Sequence, residues 1–217
     1  MKNKYGFPLK EYKIISKLNT PKKIQDFLDK LDYNLEEKGE TYFSPHMVLK
    51  EKMANCFEAA LFAAAALRVH GYPSLIIDLT SVRDTDHLVA IFKKSRFWGS
   101  IGKSKYPALT YREPIHRTIR ELALTYFDEY FNFYGERTMR GYSNPVDLSR
   151  FDKINWMTTE TGLTPIENYL NKIKHHKLLT KAMIRNLRKV PPLMKEAGEL
   201  WINRHRAQRK IKADANS

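Results

Sequence analysis

The stretch ANCFEAALFAAAALRVHGYP, residues 54–73, constrains this chain more than any other. From Cys56 to His70 apolar residues occupy nearly every helical face, with Glu58 and Arg68 the main exceptions. A helix without a polar side must be surrounded by other elements, so it is expected at the centre of the fold. Gly71 suits its C-terminal cap and Pro73 prevents its continuation. With 42% hydrophobic residues in 217, the chain can bury a large core without covalent staples. The longest unbroken apolar run, Ala59 to Leu67, is far shorter than the roughly 20 residues that span a bilayer. The opening MKNKYGFPLKEYK lacks the apolar centre of a secretory signal, so no transmembrane segment and a cytoplasmic location are expected.

Around this helix the pattern is α+β. TPKKIQDFLDKLDYN places Thr20 as N-cap, Pro21 at the first helical position, and Ile24, Phe27, Leu28 and Leu31 at helical spacing. A connection broken by Gly39 and Pro45 follows, with a short helical turn near Met47 to Met53. SLIIDLTSV, DHLVAIF and FWGSI read as strands, the last two joined as an antiparallel hairpin through a turn at Lys94 and Ser95. KSKYPALTYREP reads as loop, IHRTIRELALTYFDEYFNFY as a helix and Gly135 to Asp152 as mostly loop. Two further helices, 165–190 and 192–211, are predicted on either side of the Pro191-Pro192 pair. The expected division is a domain over 1–152 and a basic helical C-terminal extension over 153–217.

Charge is distributed unevenly. The net charge is +14, and from Asn171 to Ser217 there are 13 Lys/Arg against 3 Asp/Glu, leaving 25 against 21 for residues 1–170. That terminus could meet an anionic partner such as nucleic acid or a membrane surface, or form a solvated basic face. It lacks the interleaved aromatics of a base-stacking platform. One cysteine excludes an internal disulfide and any zinc site built from several thiolates.

That cysteine sits where chemistry is possible. Asn55 is a good N-cap, which places Cys56 in the first turn, where free backbone N–H groups and the helix dipole favour a thiolate. His87 opens the apolar strand HLVAIF, 31 residues on, and could reach the helix start as its base. The ordinary alternatives are a buried small hydrophobe and a satisfied core histidine.

The stretch NCFEAALFAAAALRVHGYPSLIIDL followed by DHLVAIF resembles the core of the transglutaminase-like, papain-related superfamily over residues 45–105. The matching positions are Cys56, Leu67, Arg68, Gly71, Pro73 and His87. The resemblance implies a transglutaminase-like fold, with a central helix begun by the cysteine and packed on an antiparallel sheet. It also implies acyl transfer or amide hydrolysis on a protein or peptide substrate, through a thioester on Cys56 with His87 as base. Backbone N–H groups at the helix start, that of Cys56 included, would form part of an oxyanion hole, and no metal or organic cofactor is implied.

The family's third residue, usually Asp, belongs on the strand after the histidine strand, but FWGSIGKSK contains no acid. A turn at Lys94 and Ser95 puts Gly102 opposite His87, with Ser100 and Ser104 on the same face as weak third-member candidates; a backbone carbonyl could also serve. Loss of an orienting acid costs on the order of 10⁴ in rate in an analogous triad. A non-catalytic binding module for a protein partner is therefore a second expectation, and nucleic-acid binding through the basic C-terminus a third.

Further residues carry weaker expectations. Trp98 and Asn55 are candidates for contacting substrate, the Trp against a core role. Asp86 should point away from the His87 face, and Glu113 is either a loop acid that swings in or a surface partner of Arg112. Glu58 reads as a rim carboxylate or the partner of a buried arginine. His175 and His176, adjacent on a predicted helix, do not face one metal site.

Overall fold

The computed structural model describes residues 3–37, 39–200 and 202. Helices α1 (Leu9–Ile15) and α2 (Pro21–Asp29) come first, and Thr20 caps α2 by accepting the Lys23 N–H. Strand β1 (Asp32–Tyr33), helix α3 (Pro45–Glu51) and strand β2 (Met53–Ala54) then lead directly into α4 (Cys56–Val69). β1 pairs in parallel with β2, setting Tyr33 opposite Ala54, two residues before Cys56.

Ten residues of α4, from Glu58 to Leu67, are buried. Six alanines among them let neighbouring elements approach closely, and the Phe27 ring stacks on Phe62 at 5.1 Å. After α4 the chain turns at Gly71, whose φ of 85° favours glycine, while Tyr72 donates its N–H back to Leu67.

The sheet consists of β3 (Leu75–Ser81), β4 (His87–Lys94), β5 (Phe97–Ile101), β6 (Arg112–His116), β7 (Met139–Ser143), β8 (Val146–Asp147) and β9 (His175–Lys177). Its order is β6-β5-β4-β3-β7-β9, with β8 also on β3, and every pairing is antiparallel. The fold is thus α+β. Leu88, Ala90 and Phe92 of β4 pack on the α4 side, while Val89 and Ile91 pack with Leu122, Ala123 and Tyr126 of α5 (Ile119–Phe127) on the other. Coverage of both faces explains why HLVAIF is continuously apolar instead of alternating.

The hairpin register differs from expectation. Lys94 pairs with Phe97 and Ile91 with Ser100, so the turn is Ser95-Arg96, with Ser95 in the left-handed region at φ 56°. The displacement is two residues, which keeps every side chain on its predicted face.

Several other expectations are corrected. The 112–116 segment is an edge strand, and Gly135 to Asp152 holds β7, β8 and the start of a 3-10 helix, Leu148–Ile154. The helix predicted over 165–190 is interrupted: α6 (Thr164–Leu170) is followed by β9 and then α7 (Lys181–Arg185). Pairing of β9 with the open edge of β7 overrides the local helical pattern. Trp156, Leu163, Ile166 and Leu170 share the α4 core, and Leu178 enters the α5 core, so 153–178 pack with the body of the fold. Helix is present over 192–200, while 203–217, with five Lys/Arg against one Asp, lie outside the described residues. No helix among the described residues is long and apolar enough to cross a membrane.

Glu58 ties the connection before α4 to the helix start. Fully buried, it accepts from the Asn34 amide, the Thr41 hydroxyl and the main-chain N–H groups of Phe43 and Asn55. Asn55 reciprocates by accepting the Glu58 N–H, completing a capping box. The expected rim carboxylate or arginine partner is therefore a buried acceptor hub. Glu58→Ala strands four donors at once and should lower stability by about 3 kcal/mol or more. Glu58→Gln, which keeps one carbonyl acceptor, should cost less; urea denaturation of both variants checks the order.

Candidate functional site

Cys56 and His87 meet at the end of the sheet where β4 begins. Both line a small cavity of about 30 Å³, together with Tyr33, Ser104, Leu109 and Tyr130. Cys56 also lines an adjoining groove of about 610 Å³, whose walls include Asn55, Asn34 and Thr41 on one side and Asp78, Asp84 and Asp86 on the other. The capping box fixes the start of α4, while pairing of His87 with Leu79 fixes the start of β4. Cys56 belongs to the helix packed on one face of the sheet and His87 shares the opposite face with Val89, so the two converge only at the strand end.

The ring of His87 is buried, at 4% exposure, and Nε2 lies 2.9 Å from the Leu109 carbonyl oxygen. A carbonyl only accepts, so Nε2 carries the proton and Nδ1 is left with its lone pair. No described residue hydrogen-bonds Nδ1, and no hydrogen bond joins the Cys56 Sγ to the ring. The Tyr126 and Tyr130 rings lie 6.0 and 6.5 Å from the imidazole. Tyr126 donates its hydroxyl to the Thr110 carbonyl, steadying the segment that presents Leu109.

Burial, with Arg112 adding to it, pushes the His87 pKa down to about 4 although the Leu109 carbonyl opposes this. Burial likewise pushes the Cys56 thiol up; main-chain N–H groups of Leu88, Phe57 and Cys56 pull it down, while Asp78 adds to the rise. The resting pair is therefore neutral imidazole and neutral thiol. This corrects the expectation of a thiol activated by its helix position: desolvation outweighs the first-turn amides. The Cys56 N–H, the helix-start donor that an oxyanion would use, opposes the rise that burial imposes on the Tyr33 hydroxyl, so that phenol stands near it.

The third-member candidates are corrected as well. Ser100 lies opposite Ile91 and hydrogen-bonds the Tyr126 hydroxyl at 2.7 Å, away from the imidazole. Ser104 lines the small cavity, but its hydroxyl accepts the Tyr106 N–H. The far nitrogen of His87 instead meets a main-chain carbonyl.

Trp98 is opposite Lys93, six residues from His87 and about 20 Å along the strand. It stacks under the Lys93 ammonium and packs with the α5 core, so it lines neither the cavity nor the groove. Asn55 does line the groove, but its side-chain oxygen is engaged in the cap.

Glu113 is exposed on β6, and Arg112 turns to Thr125, Tyr111 and Ala108 in place of an ion pair with it. His175 and His176 lie on a strand: His175 Nε2 is 2.9 Å from Asp78 Oδ2, and His176 bonds Asn144. Burial and neighbouring Asp86 nevertheless hold the Asp78 carboxyl above the usual carboxylate range.

Tyr33, Leu109 and Tyr130 were not predicted at the site. Tyr33 arrives through a two-residue parallel pairing, and Leu109 contributes only a backbone oxygen; neither leaves a side-chain signature. Tyr130 was expected on a helix face, but α5 ends at Phe127 and the hydroxyl then donates to the Thr85 carbonyl.

No family model matches the chain, and no curated protein sequence matches it.

Two measurements check this electrostatic state. A His87 pKa lowered from 6.5 to about 4 means the native state binds fewer protons than the unfolded chain in that interval. Its contribution is full above pH 6.5 and is lost as pH falls toward 4, by about 3 kcal/mol at 1.36 kcal/mol per unit. The stability difference between wild type and His87→Asn should therefore be flat above neutrality and shrink through that window in urea titrations. Cys56 is half-buried, so alkylation by iodoacetamide should accelerate only above the ordinary thiol pKa of about 8.5; a rate already at plateau near neutral pH contradicts the neutral thiol.

Proposed function

We infer that the protein is a cysteine-dependent acyltransferase or amidohydrolase of transglutaminase-like architecture, with Cys56 as nucleophile and His87 as general base. One observation carries this reading. The first residue of a buried helix and a histidine with an unbonded Nδ1 line the same cavity, beside a groove large enough for a peptide segment. The order of elements, a cysteine-headed helix before a strand begun by histidine, supports the same architecture.

The proposed chemistry starts from the neutral pair. When an amide enters from the groove, Nδ1 of His87 takes the Cys56 thiol proton as sulfur bonds to the carbonyl carbon. The carbonyl π pair moves to oxygen, and the N–H at the start of α4 receives that charge. Collapse breaks the C–N bond, the imidazolium gives its proton to the departing amine, and a thioester remains. Water or a second amine then loses a proton to His87 while attacking the thioester, and the departing sulfur recovers that proton.

Leu109 has a specific part in this sequence. Its carbonyl fixes the tautomer that leaves Nδ1 basic, and it stabilises imidazolium less than a carboxylate does. The reading therefore implies slower turnover than a complete triad supports.

The test uses a short-chain p-nitrophenyl ester followed by intact mass. Wild type should acquire one acyl group on Cys56 and release it with time, Cys56→Ala should acquire none, and His87→Ala should acylate at least about 100-fold more slowly. Absence of both acyl-enzyme and turnover in the wild type overturns the catalytic reading in favour of a binding module.

A further inference from the structure

The groove beside Cys56 runs against the charge of the whole chain. Lys and Arg number 38 against 24 Asp and Glu, yet among the described residues the groove is lined by Glu36, Glu40, Asp78, Asp84, Asp86 and Glu167, with Lys105 the one basic residue. Asp78 has His175 as partner. The other five form no ion pair with a described basic residue; hydroxyl and main-chain N–H groups donate to them, as Thr41 to Glu36, Tyr42 to Glu40, Thr138 to Asp84 and Ser81 to Asp86.

An acidic surface alone is a solvated face. Here Cys56, Asp84 and Asp86 line both the groove and the small cavity, which His87, at 4% exposure, also lines with an Nδ1 that no described residue bonds. The groove is also extended. Glu40, Thr41, Tyr42, Glu167 and Asn171 belong both to it and to a second depression of about 710 Å³, which adds Glu160. The two depressions together form a negative trough leading to Cys56.

We propose that this trough binds a lysine- or arginine-rich polypeptide segment and presents it to Cys56. Low-dielectric walls of one charge concentrate a ligand of the opposite charge and hasten its capture. Carboxylates near the site also disfavour ionisation inside it: Asp84, Asp86 and Asp78 add to the rise of the Tyr130 hydroxyl, after burial and Cys56, and Glu36 and Glu58 to that of Tyr33. A cationic segment offsets that potential at the moment of binding, easing thiolate formation where the free protein resists it. Delivery to Cys56 as nucleophile rests on the catalytic reading above, whereas capture of the basic segment does not.

Binding is therefore measured on full-length Cys56→Ala, which cannot turn over. Fluorescence anisotropy follows labelled nonapeptides of alternating Lys and Gly, Glu and Gly, or Ser and Gly. The lysine peptide should bind, with affinity falling as salt rises, while the other two should not. Combining Glu40→Gln, Asp86→Asn and Glu167→Gln keeps an acceptor oxygen at each position and should weaken lysine-peptide binding about tenfold or more. The control pair Glu51→Gln and Glu113→Gln, exposed acids outside the trough, should change it less than about twofold. Equal binding of the lysine and serine peptides, or equal weakening by the triple and control variants, overturns the proposal. Lysine-peptide binding without any acyl-enzyme in the ester experiment removes the catalytic reading and leaves the cationic trough standing.

Discussion

The buried carboxylate of Glu58 is the contact on which the rest of the site depends. It accepts from two main-chain and two side-chain groups, and those donors come from both the connection before α4 and the helix start itself. A carboxylate held this way costs desolvation, which is why burial raises its pKa; the hydrogen bonds from Asn34, Thr41, Asn55 and Phe43 oppose that rise. The result is a helix whose first turn cannot shift without breaking the wall of the groove. Cys56 is fixed by the same four donors although it makes none of these bonds.

The sheet supplies the second fixed point. His87 begins β4 opposite Leu79, and the segment after β5 is pinned by Gln25, which both donates to the Gly102 carbonyl and accepts the Gly102 N–H. That residue has to be glycine. A Cβ there lies 2.9 Å from Val89 Cγ1, which would have to shift, and in ordinary contact, at 3.6 Å, with the imidazole Nε2. Positioning of the histidine thus depends on α2, on the β5 extension and on the Tyr126–Thr110 contact from α5. Elements on both faces of the sheet cooperate to orient one ring.

Electrostatics at the site follow from this packing. Enclosing sulfur and imidazole removes the water that would stabilise either ion, so the pair rests uncharged. The same enclosure places the thiol near Asp78, which pairs with His175, and beside Asp84 and Asp86, which accept from hydroxyl and main-chain N–H groups. Burial therefore keeps both groups neutral, and under the proposal above a cationic segment in the acidic trough would ease ionisation of the thiol.

The central helix, its caps, the three following strands and the meeting of Cys56 with His87 were legible because each rests on local chemistry: an apolar run, Asn55 and Gly71, β-branched residues, and a histidine at a strand start. The misread segments are those where partners distant in sequence decide. Residues 175–177 form a strand because β7 offers an open edge, and Glu58 is an acceptor hub because the 34–43 segment folds over it. Ser100 was assigned to the site from its face and Trp98 from its strand, whereas depth along the hairpin, set by a turn at Ser95-Arg96, removes them. The sequence by itself determined an α+β chain built around a cysteine-headed buried helix. Only the tertiary structure decided what meets the far nitrogen of His87 and whether the thiol is charged. A backbone carbonyl has no residue signature, and desolvation depends on how much water the assembled fold excludes.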